Sequence, residues 1–96
     1  MGCHFKALGD DSRRKILTIL GNNGSSSSGE IAKNFKISQP TISNHLRILK
    51  EAGLVNEKKV KQSRIYSLNK EKVNKVINTL HSIMSSNGES SALDLD

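Results

Sequence analysis

Cysteine, tryptophan and acidic residues are scarce in this chain. One Cys among 96 residues excludes an internal disulfide, and one Cys with three His is a poor supply for a closed zinc site, which takes four ligands, usually Cys or His. There is no Trp, and two Phe and one Tyr are the only aromatics. With 34% hydrophobic residues the core of a monomer would be thin, and dimerisation would supply the missing burial. No apolar h-region opens the chain and the last helical segment is too polar on one face to span a membrane, so the reading is a cytoplasmic protein without a membrane partner. Met1, Gly2 and Cys3 begin an acylation pattern that fails at Lys6, where Ser or Thr is required. A Gly-rich phosphate loop, a nucleophile elbow and a dense carboxylate or Cys/His cluster are all missing, which argues against an enzyme.

The shortage of acid is uneven. Fifteen Lys and Arg face nine Asp and Glu, for a net charge of +6, and three of those acids, Glu89, Asp94 and Asp96, lie in a Ser-rich stretch after Met84 that holds no Lys or Arg. Residues 1–84 are thus three charges more positive than the whole chain and read as one basic folded unit suited to a polyanion; residues 85–96 read as a disordered acidic tail.

What is present concentrates between Ser38 and Val55, in the run SQPTISNHLRILKEAGLV. Ser38 is a good N-cap, Gln39 and Pro40 fill a first turn where a missing N–H costs nothing, and Gly53 can take the left-handed conformation that closes a helix after Lys50 has met its carbonyl end. Ile42, Leu46 and Leu49 form an apolar stripe at helical spacing. The other side offers Gln39, Pro40, Thr41, Ser43, Asn44, His45 and Arg47. A solvated helix face is normally rich in Glu and Lys, whereas Gln, Thr, Ser and Asn are hydrogen-bonders to base edges and phosphates. The pattern is that of a helix that reads DNA.

The flanks agree. Upstream, Ser27 and Glu30 form a capping box that opens a short helix with Ile31, Ala32 and Phe35 on its buried side; Lys36 and Ile37 then make a brief turn, with Ile37 expected to plug the gap between two crossed helices. Before that, GNNGSSSSG at residues 21–29 reads as a flexible loop. Downstream, Leu54–Val60 and Arg64–Leu68 read as the strands of a hairpin with the turn Lys61, Gln62, Ser63. Lys58, Lys59, Lys61 and Arg64 place four positive charges within seven residues, suited to a phosphate backbone or minor groove. Edge-strand lysines that only prevent aggregation are the plainer account, and one charge can serve both ends. In the last helical segment Val73, Val76, Ile77, Leu80, Ile83 and Met84 make a stripe too wide for so small a core. It is expected to pair with its symmetry mate and with Phe5 and Leu8; a plain amphipathic core helix is the alternative.

From Phe5 to about Leu80 the sequence resembles the ArsR/SmtB family of bacterial winged-helix repressors, through FKALGDDSRRKIL, GEIAKNFKISQPTISNHLRILKEAGLV and IYSLN. The resemblance implies a mainly α fold with a small β-hairpin: a winged helix-turn-helix, dimeric through its N- and C-terminal helices. It further implies a homodimer that binds double-stranded operator DNA and lowers transcription, with Gln39 to Glu51 in the major groove. The wing residues would be Lys59, Lys61, Gln62, Ser63 and Arg64, although the family usually has Gly where Lys61 or a neighbour stands.

Family members that sense arsenic or cadmium carry a Cys-x-Cys pair in the helix before the turn, where this chain has Glu30, Ile31, Ala32 and Lys33. Zinc sensors place paired His and carboxylate ligands in the last helix, where this chain offers only His81, with Glu71 ten residues away. A dimer could still combine Cys3 and His4 with His81, or join Cys3 to its symmetry mate as a redox switch. The reading adopted is no metal and no cofactor: a sequence-specific repressor on a pseudo-palindromic operator, resembling the metal-independent autorepressor-like branch. The alternatives are a repressor of the same fold answering an unknown effector or protein partner, and a winged helix used for protein contacts.

Overall fold

The computed structural model describes the backbone of residues 2–88 and the side chains of residues 5–85. Eight elements follow in order: α1 (Gly2–Leu8), α2 (Asp11–Asn23), β1 (Ser25–Ser27), α3 (Ser28–Ala32), α4 (Gln39–Glu51), β2 (Val55–Val60), β3 (Ser63–Leu68) and α5 (Lys70–Gly88). The three strands form one antiparallel sheet in the order β1-β3-β2. This is a winged helix-turn-helix, with α3 and α4 as the crossed pair and β2–β3 as the wing.

Local chemistry explains most boundaries. Asp10 caps α2 by accepting from the Arg13 N–H at 3.2 Å. Gly24, at φ +84°, turns the chain out of α2 while its N–H reaches the Leu20 carbonyl at 2.9 Å. At α3 the capping box forms in both directions: the Ser27 N–H donates to Glu30 Oε1 at 2.9 Å and the Glu30 N–H donates to Ser27 Oγ at 3.1 Å. Asn69 caps α5 by accepting from the Lys72 N–H.

The segment at residues 21–29 is a correction. It is not a loop: α2 runs on to Asn23, and Ser25–Ser27 pair with β3 in the register Ser26↔Tyr66, Ser26 being buried. Three serines carry no apolar alternation, so no side-chain pattern announces a strand; β3's open edge supplies it through backbone hydrogen bonds. The second correction is the helix-turn-helix turn. Asn34 donates its side-chain amide to the Glu30 and Ile31 carbonyls, α3 stops at Ala32, and the connection to α4 lengthens to residues 33–38. Phe35 therefore packs on the core and carries the Lys15 ammonium 4.8 Å above its ring, whereas Ile37, expected as the plug, is 39% exposed.

Ile42, Leu46 and Leu49 of α4 are fully buried with Ile16 and Leu20 of α2, Ile31 of α3, Leu54, Val55 and the Tyr66 ring. α5 joins this core through Val76, with Val73 packed against it; farther along, Ile77, Leu80, Ile83 and Met84 are between 47% and 72% exposed. Leu8 packs on the same core, while Phe5 is exposed. Of the eight residues assigned to a dimer interface, Val76 thus belongs to the protomer's own core, and Val73 and Leu8 lean on it. α5 continues four residues past the expected boundary at Met84, to Gly88. Glu89, Asp94 and Asp96 of the expected tail lie outside the described residues, as do the side chains of Cys3 and His4.

Candidate nucleic-acid interface

α4 is fixed at both ends before its outer face is considered. Ser38 Oγ accepts from the Thr41 N–H at 3.3 Å and lies 2.8 Å from Thr41 Oγ1, so the Thr41 hydroxyl is drawn into the cap. At the other end Gly53, at φ +80°, donates its N–H to the Lys50 carbonyl at 2.9 Å and Leu54 donates to the Leu49 carbonyl at 3.0 Å. That is a Schellman closure, with buried Leu54 as its apolar contact. Leu54 is spent on the closure, so β2 begins at Val55, one residue later than its pattern suggests.

Gln39, Pro40, Thr41, Ser43, Asn44 and Arg47 are all exposed on α4. Arg47 is held along that face: one guanidinium nitrogen donates to Asn44 Oδ1 at 2.7 Å and the other to both Glu51 carboxylate oxygens at 3.0 Å. His45 departs from its expected place. Its side chain is 13% exposed and turned toward α2, with Nδ1 3.3 Å from an Arg13 nitrogen and Nε2 3.9 Å from Asp10. Arginine only donates, so Nδ1 is the acceptor and Nε2 carries the proton in this arrangement. Arg13 also donates to the Ala7 carbonyl at 2.8 Å and the Lys6 carbonyl at 3.3 Å, tying α1, α2 and α4 together. His45 is therefore a strut between helices and not a group on the outer face. The Asp10 carboxyl is held below its ordinary pKa, mainly by the Arg13 backbone N–H, with the Arg13 guanidinium adding its charge.

The wing is tighter than its sequence suggests. Val60 pairs with Ser63, so Ser63 belongs to β3 and the turn is only Lys61 and Gln62. Lys61 has φ +58°, a left-handed conformation that glycine would take without strain. Lys59, Lys61, Gln62, Ser63 and Arg64 are exposed, and Lys58, Lys59 and Lys61 have no ion-pair partner among the described residues.

Between α4 and the wing lies a groove lined by Ser28, Ser43, Arg47, Lys50, Glu57, Arg64 and Tyr66. It brings together three expected site residues, Ser43, Arg47 and Arg64; Lys59, Lys61 and Gln62 stand apart along the wing. Glu57 was not legible as a site residue. Its side chain is 11% exposed; Oε1 accepts from Lys50 at 2.5 Å, and Oε2 from Arg64 at 2.9 Å and the Tyr66 hydroxyl at 3.1 Å. A lone acid in a basic hairpin, cross-strand from Tyr66, is the one signal that could have exposed it.

These donors, Lys50 foremost, hold the Glu57 carboxyl at a pKa of about 2, below its ordinary 4.5. Because folding lowers this pKa, the cluster's stabilisation is complete above about pH 4.5 and is lost as pH falls toward about 2. Thermal melts should accordingly show wild type above Glu57→Gln at pH 7, with the gap closing below pH 4.5 as acid protonates the carboxylate.

Among the described residues no three His, Cys, Asp or Glu gather as metal ligands, and no helix is long and apolar enough to cross a membrane. His81 and Glu71 are exposed on α5.

Residues 10–57, from the α2 cap to Glu57, match the model of the bacterial regulatory protein arsR family. The transcriptional repressor SdpR of Bacillus subtilis is 48% identical over 65 residues, covering 68% of this chain and 71% of that one. The transcriptional activator HlyU of Vibrio cholerae is 36% identical over 77 residues, covering 80% and 70%. Among solved structures, an ArsR-like transcriptional regulator from Rhodococcus sp. RHA1 superposes with a TM-score of 0.77 at 33% identity, covering 88% of this chain and 79% of the other. Fold and relatives are those of DNA-binding regulators rather than enzymes, and this chain belongs to the bacterial arsR family of transcriptional regulators.

Proposed function

We propose that the chain is a sequence-specific repressor that binds a pseudo-palindromic operator as a homodimer, in the cytoplasm and without metal sensing. The observation that carries the reading is the outer face of α4. It is exposed and rich in hydrogen-bonders, on a helix capped at both ends and flanked by wing lysines that have no ion-pair partner among the described residues. Gln39, Thr41, Ser43 and Asn44 meet base edges and nearby phosphates; Arg47, Lys59, Lys61 and Arg64 meet the backbone.

Two copies are invoked because Ile77, Leu80, Ile83 and Met84 leave an apolar stripe in water, with Phe5 also exposed at the other end of the chain. A two-fold pairing covers the same stripe on both protomers, and the paired α4 helices then address half-sites one turn of DNA apart, on the order of 34 Å, or a small multiple of it. Repression rather than activation is favoured by the higher identity to the repressor, 48% against 36% for the activator. Metal independence is favoured by residues 30–33, which hold Glu, Ile, Ala and Lys where the sensors hold paired Cys.

Fluorescence anisotropy of the metal-stripped protein tests the reading, using a duplex from its own promoter and a scrambled duplex across a salt series. Tight, selective binding at physiological salt is expected; weak, equal binding to both that vanishes with salt would overturn it. Within that assay Asn44→Ala should cost about 1–3 kcal/mol at one or two operator positions and leave the scrambled duplex nearly unaffected. Equal losses on both duplexes would remove Asn44 from the reading face.

A further inference from the structure

The geometry points to Glu57 as the positioning residue that sets DNA selectivity, by clamping two cations, Lys50 of α4 and Arg64 of the wing, into one fixed arrangement along the groove. The inference rests on the DNA-reading function proposed above and goes beyond it. It assigns a role to an acid that no phosphate contact would use, since a carboxylate repels phosphate.

Three features carry it. The side chain is mostly buried in a strand whose neighbours are exposed, so the carboxylate has been drawn inward and not left in solvent. Both oxygens are engaged, by donors from two different elements: Lys50 from the last turn of α4, and Arg64 and Tyr66 from β3. Tyr66 in turn is a core residue, so the clamp is anchored to the protein interior and not only to other surface chains. In the antiparallel register Glu57 shares one face of the hairpin with Tyr66 and Arg64, and these three close on α4 around Ser43 and Arg47.

Lys50 and Arg64 are both more than half exposed, so water screens part of what their ion pairs with Glu57 add to stability. The larger consequence is for binding. A cation on a long side chain can follow any phosphate and rewards every duplex alike, whereas a cation held in place rewards only a duplex whose backbone arrives where it stands. Glu57 thus gives up attraction to DNA in general and gains discrimination, because one negative charge offsets part of the groove's positive charge while fixing what remains.

The test is the anisotropy salt series on full-length Glu57→Gln, which removes the charge and keeps the shape. Lys50 and Arg64 are freed, so scrambled duplex should bind about three- to tenfold tighter at low salt, with the slope of log K against log salt steeper by about 1. The promoter-to-scrambled ratio should fall about tenfold. Glu57→Asp keeps the charge but is one methylene short of holding all three donors; it should leave the slope near wild type and still lower the ratio, and it stands in should the Gln variant fail to fold. Adding Arg64→Gln to Glu57→Gln should restore the slope without restoring the ratio.

A purely structural residue behaves differently. It lowers the active fraction, weakens both duplexes equally and leaves slope and ratio alone, and that result in a selective wild-type background overturns the role of Glu57 only. A wild type that fails to distinguish promoter from scrambled duplex overturns the DNA-reading function itself, and this role with it.

Discussion

On the homodimer proposed above, Leu80→Glu should convert the protein from a dimer to a monomer and weaken operator binding by about 100-fold or more, a loss of about 3 kcal/mol. Leu80 is 47% exposed in the protomer, between Ile77 and Ile83 on a helix that leaves the core after Val76. Its apolar surface contributes about 25 cal/mol per Å² when a partner covers it, and two-fold symmetry counts the substitution twice. Two carboxylates brought face to face in a dry interface add a desolvation cost that nothing repays. The operator effect follows because a monomer engages one half-site and loses the gain from linking two. The side chain already meets water in the single chain, so the fold should survive. Sedimentation measures the oligomeric state and anisotropy the affinity; a variant that stays dimeric would move the interface off this stripe.

Leu46→Ala should cost about 2–5 kcal/mol of folding stability, read from urea unfolding followed by circular dichroism. The residue is fully buried on the inner side of α4, and a domain of this size has only about 5–15 kcal/mol in total. Removing one methine and two methyl carbons leaves a cavity that Ile42, Leu49 and the α2 residues Ile16 and Leu20 can fill only in part. The contrast with Asn44 is informative because the two residues lie half a turn apart on one helix. Asn44→Ala should change stability by less than about 0.5 kcal/mol while altering what the helix recognises. Should Leu46→Ala prove nearly neutral, the core has repacked and α4 is less rigidly seated than its burial implies.

Helix α4 was legible to the residue, Ser38 cap to Gly53 closure, because caps are local chemistry: a hydroxyl and an N–H three residues apart, or a glycine where φ must be positive. Ile42, Leu46 and Leu49 were legible for the related reason that helical spacing needs no knowledge of the rest of the fold. What escaped depends on partners distant in sequence. Ser25–Ser27 is a strand only because β3 stands beside it. Ile37 stays in water because Asn34 ends α3 early and lengthens the connection to α4, whereas Phe35 is packed on the core as expected. His45 sits three residues after Ile42, on the edge of the buried stripe, so spacing alone could have turned it inward; its polar character drew it to the wrong face. Glu57 stood out only as a lone acid in a basic hairpin, because the three donors that define its role come from positions 50, 64 and 66, and no linear pattern joins them.

The Schellman closure has a mechanical meaning. Only Ala52, Gly53 and Leu54 separate the end of α4 from the start of β2, and two backbone hydrogen bonds with buried Leu54 lock that joint. The joint therefore fixes the angle at which the wing leaves the helix, as the pivot of a caliper sets its opening. On the function proposed here, accommodation falls to the DNA: base pairs between the groove that α4 enters and the backbone that the wing touches must bend or narrow to bring their phosphates to the lysines. The bendability of bases that no side chain contacts then becomes part of the operator's sequence.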